Sequence, residues 1–153
     1  MAFHLTTELL ADLPRMSWWA RVSRDTGHTH VCHGSAVETG SNFVVEGVWD
    51  GPFLEGRFHE AEHFFGSGIY VDENRVWLVP SHALVDRIVY ALSGEELVAS
   101  NSLALLLGYT GARLDPTCDY HKQPPPRLAC RCCCYSGSKL HSRSPLAKPG
   151  PGL

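Results

Sequence analysis

The 153-residue chain has no run approaching the roughly eighteen consecutive apolar residues that a membrane-spanning helix needs, so no membrane span is expected. Its first residues, MAFHLTTELLADLPR, hold no basic leader followed by a continuous apolar segment. A secretory signal is therefore not expected, and the cytoplasm is the expected compartment. No serine sits in a Gly-x-Ser-x-Gly elbow, so Ser81, His82 and Asp86 read as part of a loop joining two hairpins rather than as a hydrolase triad. No repeat of fixed period is present. Acidic residues stop at Asp119, and residues 121–153 also lack Ile, Val, Phe and Trp. Such a segment cannot bury enough apolar surface to offset an ordering cost of about 1 to 2 kcal/mol per residue.

What is present divides at about the same point. Of 16 Asp and Glu and 13 Lys and Arg, residues 1–120 hold all sixteen acids and seven bases, a net −9, and the remaining residues are +6. A body of that charge repels a phosphate backbone, so nucleic acid is not an expected partner. The expected organisation is one domain over residues 1–116 and a disordered Pro-, Cys- and Arg-rich tail over 117–153. The tail's composition is also what a GC-rich gene gives when read out of frame, and a frameshifted or truncated end is the expectation for it.

Within the body, Leu5 to Leu13 fits a short amphipathic helix, with Leu5, Leu9, Leu10 and Leu13 along one side, Glu8 near its positive end and Pro14 as its stop. Ser17 to Ser23 suits a strand with Trp18, Ala20 and Val22 on one face. A turn at Asp25-Thr26-Gly27 leads to HTHVCH, which as a strand puts His28, His30 and Cys32 on one face and Thr29, Val31 and His33 on the other. Asn42 to Glu46 is a third strand, and Phe58 to Phe65 reads equally as a helical turn or a strand. A hairpin pairs Gly68 to Val71 with Arg75 to Val79 across Asp72-Glu73-Asn74. A second pairs Arg87 to Leu92 with Glu95 to Ala99 across Ser93-Gly94, apolar on both faces as a strand inside a sandwich would be. Ser100 or Asn101 then caps an apolar helix, Leu103 to Leu107, which Gly108 and Gly111 end.

Three groups of residues suggest metal chemistry. His28, His30 and Cys32 are ligand types that suit zinc, but neighbours two apart on a strand are roughly 7 Å from each other, which favours a solvated polar face. His59-Glu60-Ala61-Glu62-His63 matches His-Glu-x-x-His, the pattern of zinc hydrolases, with His59 and His63 as ligands and Glu60 as base. That chemistry requires a helix, and Gly56 and Gly66 leave room for about two turns. Cys130, Cys132, Cys133 and Cys134 lack a second, spaced knuckle and read as adventitious thiols, and Cys118 has no evident partner.

The order hairpin, loop, hairpin, Ala99-Ser100-Asn101, and a helix containing Ala104-Leu105-Leu106 resembles the later half of the glutaminase domain of asparagine synthetases, over about residues 43–115. Ile88-Val89-Tyr90 stands where that family writes Leu-Tyr-Tyr, and Asp50-Gly51-Pro52-Phe53 is similar to its Asp-Gly-x-Phe. The chain departs from the family at Ser81, Leu84, Asp86 and Arg87, which stand for Asp, Gly, a basic residue and Pro. The resemblance implies an α+β fold, antiparallel β-hairpins packed with a buried helix, like part of an Ntn-hydrolase-type αββα sandwich. It places Ser81, Asp86, Ser100 and Asn101 at ligand-binding motif positions. The family's nucleophile is an amino-terminal Cys, and residue 2 here is Ala2, with no Asn-Gly-Glu or Arg-Gly-Pro-Asp stretch to hold glutamine.

The expectation is therefore a non-catalytic, amidotransferase-like domain, a structural or interaction remnant. It needs no cofactor of its own, ATP entering only through a synthetase domain elsewhere, and its partner is such a domain or a second copy. The rival expectation is a small zinc-dependent hydrolase on His59, Glu60 and His63. A third is a chain that does not fold stably because Leu103 to Leu107 lack cover, at about 2 to 5 kcal/mol per uncovered Leu.

Overall fold

Short alternating stretches of β-branched and aromatic residues, each closed by Gly, Asp or Pro, dictate strands far more often than helices in this chain. The computed structural model describes residues 2–83 and 87–113, and the backbone alone of 132–136 and 139–143. In chain order the strands are β1 (His4–Leu9), β2 (Trp18–Ser23), β3 (His28–His33), β4 (Glu38–Thr39), β5 (Phe43–Trp49), β6 (Phe64–Val71), β7 (Val76–Pro80), β8 (Val89–Ser93) and β9 (Glu96–Ser100). Helix α1 (Leu103–Thr110) follows, then β10 (Cys132–Ser136) and β11 (Lys139–Arg143), with a 3-10 turn at Phe53–Glu55 before β6.

These strands make two sheets, ordered β1-β3-β2-β9-β8 and β11-β10-β7-β6-β5-β4. Every pairing is antiparallel except β1 with β3. The sheets face one another across one core. Trp18, Ala20 and Val22 of β2, Val31 of β3, and Leu97 and Ala99 of β9 meet Val44, Ile69, Val71, Val76 and Leu78 from the other sheet. A hydrogen-bond chain crosses this core, with the Trp18 indole N–H donating to Ser67 Oγ (3.0 Å) and the Ser67 hydroxyl donating to Glu46 Oε1 (2.8 Å). It joins the layers at a fixed register, because a buried indole N–H without an acceptor is costly.

The outer face of the second sheet is buried as well. Phe43, Val45, Phe64, Trp77 and Val79 are covered by Phe58, which the turn-rich segment between β5 and β6 lays across them. Within the β5–β6 ladder, Gly47 pairs with Gly66, both at positive φ (147° and 141°). A Cβ on Gly66 would stand 2.0 Å from the Glu46 carbonyl oxygen, so this pair accepts no side chain.

The strand assignments at β2, β3 and β5 match the sequence expectation, as does the β6–β7 hairpin with its Asp72–Arg75 closure. Four features differ. Leu5 to Leu13 does not form a helix: β1 runs parallel to β3 from His4↔His28 to Leu9↔His33. Two consecutive threonines and a stop at Pro14 leave a marginal helix, and an unpaired edge of β3 offers a full ladder instead. Phe58 to Phe65 is mostly turn, becoming strand only at Phe64. The second hairpin closes one residue later than expected, Ser93 pairing with Glu96 around Gly94-Glu95, and Tyr90 and Leu92 of its edge strand β8 are exposed. Lastly, α1 is not the expected buried helix. Only Leu106 is buried, Leu103 and Tyr109 being 45% and 42% exposed, because the helix packs on β8 and β9 at the margin of one sheet. Its cap is Ser102, whose Oγ accepts from Leu105 N, and Gly111 at φ 67° closes it.

The resulting class is mixed α+β, mainly antiparallel sheet with one helix among the described residues. The expected tail, 117–153, lies outside the described residues except for β10 and β11, which form a hairpin paired to β7. No helix among the described residues is long and apolar enough to cross a membrane.

Candidate functional site

Among the four motif positions, Asp86 lies outside the described residues. Ser81 sits at the exit of β7, its Oγ accepting from the Ala83 N–H (3.1 Å) in a local turn. The next residue, His82, is tied to the start of β6, with Nδ1 accepting from Phe64 N and its own N–H donating to Phe64 O. Ser81 and His82 therefore sit in a backbone-anchored loop. Ser100 and Asn101 meet at the β9–α1 junction. The Ser100 hydroxyl, fully buried, donates to Trp18 O (2.7 Å) and accepts from Ser102 N (2.9 Å). Asn101 grips the same segment from its other side, Oδ1 accepting from Trp18 N (3.0 Å) and Nδ2 donating to Met16 O (2.9 Å). Three hydrogen bonds thus fasten Met16 and Trp18, at the entry to β2, to the β9–α1 junction, and the fourth links Ser102 to Ser100 within it.

The His-Glu-x-x-His residues are divided. With no helix beneath them, His59 and His63 lose the one-turn relation that would aim both at one ion. His59 lies against Tyr70 at 3.9 Å between ring centroids and tilts on Trp77 at 5.4 Å. His63 instead groups with Asp50 and Glu62, all exposed. The Asp50 carboxylate there accepts the His63 N–H (3.1 Å), which holds its pKa below the usual range. Glu60 pairs loosely with Arg57 and His59 at 3.5 and 3.6 Å.

On the outer face of the first sheet, strands β1 and β3 place Glu8, His30 and Cys32 with all three ligand atoms within 4.8 Å of one another. His30 Nε2 is 3.4 Å from Glu8 Oε2 and 3.4 Å from Cys32 Sγ, and the Cys32 thiol donates to Glu8 Oε2 at 3.8 Å. The roughly 7 Å between neighbours two apart on a strand separates their Cα atoms, not their side-chain tips. His30 and Cys32 lean toward each other along the strand, and their tips converge although their backbones do not. His28, the third residue of the expected set, stays beside the group, stacked on His30 at 6.2 Å. Glu8 takes its place. That residue was hidden by reading residues 5–13 as a helix; the Thr6-Thr7 pair was the available sign of a strand.

Thr6 fixes the group's geometry. Its Oγ1 lies 3.1 Å from both His28 Nε2 and His30 Nδ1, occupying the His30 nitrogen that faces away from Cys32. Trp19 meets the edge of His30 at 6.3 Å and tilts against Tyr109 of α1 at 4.2 Å. Burial first, and the neighbouring Glu8 carboxylate second, push the Cys32 thiol up to about 11. At neutral pH the sulfur keeps its proton and is a poor nucleophile.

An open groove of about 250 Å³ lies elsewhere, at Glu38, Gly47, Val48, Trp49, Gly51 and Phe53. It offers one carboxylate and no imidazole or thiol. Compared with protein-family models, curated proteins and solved structures, the chain matches none.

Proposed function

We propose that this chain is a non-catalytic, amidotransferase-like domain that serves as a structural or interaction module of an asparagine-synthetase-like protein. The observation that carries this reading is the junction at Ser100 and Asn101. In the order hairpin β6–β7, hairpin β8–β9, Ser-Asn, α1, these are the positions at which the resembling family handles its ligand. Here their polar atoms are taken up by Met16, Trp18 and Ser102. A framework retained for its shape, with its polar positions used for fastening, accounts for both facts. The interaction role draws on the exposed apolar side chains Tyr90 and Leu92 on β8 and Leu103 and Tyr109 on α1, a surface suited to a synthetase-like domain or a second copy.

The reading is tested by incubating the purified chain with glutamine and assaying ammonia, and with ATP and aspartate and assaying ATP consumption. Neither is expected to exceed the rate without protein. Release of ammonia that follows protein concentration would contradict the proposal.

A further inference from the structure

We propose that Glu8, His30 and Cys32 form a zinc site on the outer face of the β1–β3 pair, a function separate from the reading above. The donor set is one carboxylate oxygen, one imidazole nitrogen and one thiolate sulfur. This mixture suits a borderline cation such as Zn²⁺, whereas a hard ion such as Ca²⁺ or Mg²⁺ takes oxygen ligands. The spacing fits the same ion. Tetrahedral Zn²⁺, with bonds of about 2.0 Å to N and O and about 2.3 Å to S, sets its ligand atoms roughly 3.5 Å (S···N), 3.3 Å (N···O) and 3.5 Å (S···O) apart. The three atoms already stand at 3.4, 3.4 and 3.8 Å in that order. Binding therefore asks for displacement of the thiol proton and shifts of tenths of an ångström.

The surroundings are those of a supported ligand. Metal-bound histidines hold their second ring nitrogen in a hydrogen bond that fixes the ring's orientation. Thr6 Oγ1 does this at His30 Nδ1 and leaves Nε2 toward Glu8 and Cys32. The three ligands come from two strands paired over six residues, so their spacing is set by the sheet ladder. With Cys32 3% exposed and Glu8 on the surface, the fourth position opens outward, for water or a fourth ligand. The Asp50, Glu62 and His63 group makes a useful contrast. All three residues are exposed, no sulfur is present, and Asp50 is already engaged by backbone.

The other five cysteines, Cys118, Cys130, Cys132, Cys133 and Cys134, would also take up zinc, so the test uses the full chain with those five replaced by serine. Zn²⁺ is titrated against a chromophoric chelator, and Co²⁺ is added separately to read the thiolate-to-cobalt charge-transfer band. The expected result is one ion per chain with a sulfur-to-cobalt band. Affinity should fall more than about tenfold in Glu8→Gln and further in His30→Ala, and Thr6→Val should weaken it by roughly tenfold through the ring it orients. His63→Ala should bind as the parent does. The absence of bound zinc, a cobalt complex without the sulfur band, or binding unchanged by Glu8→Gln and His30→Ala would each overturn the proposal. The cobalt band is read with Cys32 intact, so the test survives a Cys32→Ser variant that does not fold.

Discussion

Replacing Ser100 by alanine separates a fastening role from a ligand-holding one. The hydroxyl makes two hydrogen bonds in a fully buried position, to Trp18 O at 2.7 Å and from Ser102 N at 2.9 Å. Each such bond contributes about 1 kcal/mol net, and a buried group left without its partner costs about 1 to 3 kcal/mol. Ser100→Ala should therefore lose about 2 to 4 kcal/mol, a large share of the roughly 5 to 15 kcal/mol that holds most domains folded. At about 2 to 4 °C per kcal/mol for a chain of this length, the melting temperature should fall by roughly 4 to 16 °C. Asn101→Ala removes two bonds from a more exposed side chain and should cost about 1 to 2 kcal/mol. Both residues hold the segment from Met16 to Trp18, so the double variant should depart from additivity by at least about 0.5 kcal/mol. Urea unfolding followed by tryptophan fluorescence measures all three. A residue kept for binding a ligand would show the opposite pattern, so unchanged or raised stability in Ser100→Ala would refute the reasoning.

The Gly47–Gly66 pair of β5 and β6 gives a sharper steric test: Gly66→Ala, with φ at 141° and a Cβ 2.0 Å from Glu46 O, should cost about 2 to 6 kcal/mol. Gly108→Ala, inside α1 with nothing near its Cβ, should gain up to about 1 kcal/mol, and paired denaturation curves compare the two. Thr29 is fully buried and its hydroxyl has no hydrogen-bond partner among the described residues, so Thr29→Val should raise the unfolding midpoint by about 1 kcal/mol equivalent. The Cys32 thiol, raised to about 11, should resist iodoacetamide at pH 8 in metal-free protein, as peptide mass mapping would show. Its proton is held more tightly folded than unfolded, so its contribution is complete below the unfolded pKa near 9 and lost as pH rises toward 11. Stability falling through that window in the parent, and less steeply in Cys32→Ser, is the expected result.

The elements read correctly were those whose information is local. Trp18, Ala20 and Val22 alternate with more exposed residues, and Asp72 to Asn74 closes a hairpin by its own side-chain bond, the Asn74 N–H donating to Asp72 Oδ1. Residues 4–9 depended on a distant partner. Nothing within HLTTEL reveals that β3 has a free edge, and a leucine spacing typical of a helix was outweighed by a parallel ladder. The metal-ligand group was hidden for the same reason, since two of its residues share a strand but Glu8 comes from β1. The His59 to His63 motif misled in the opposite way. Five residues match a pattern whose chemistry needs a helix, and Phe58, drawn into the aromatic core beside Phe43 and Phe64, sets the segment as turns. At α1 the composition signalled burial, but a helix of eight residues at a sheet margin can hide only one leucine.

Amide-proton NMR tests residue by residue whether the β9–α1 junction is a structural clasp. The amides of Trp18, Ser102 and Leu105 all donate to side chains of this junction and can be followed as glutamine or aspartate is added. Three resonances protected from solvent exchange and unmoved by either amino acid are expected. Saturable shifts centred on these three amides would contradict it, because they would place a ligand where Ser100 and Asn101 are assigned to hold the fold together.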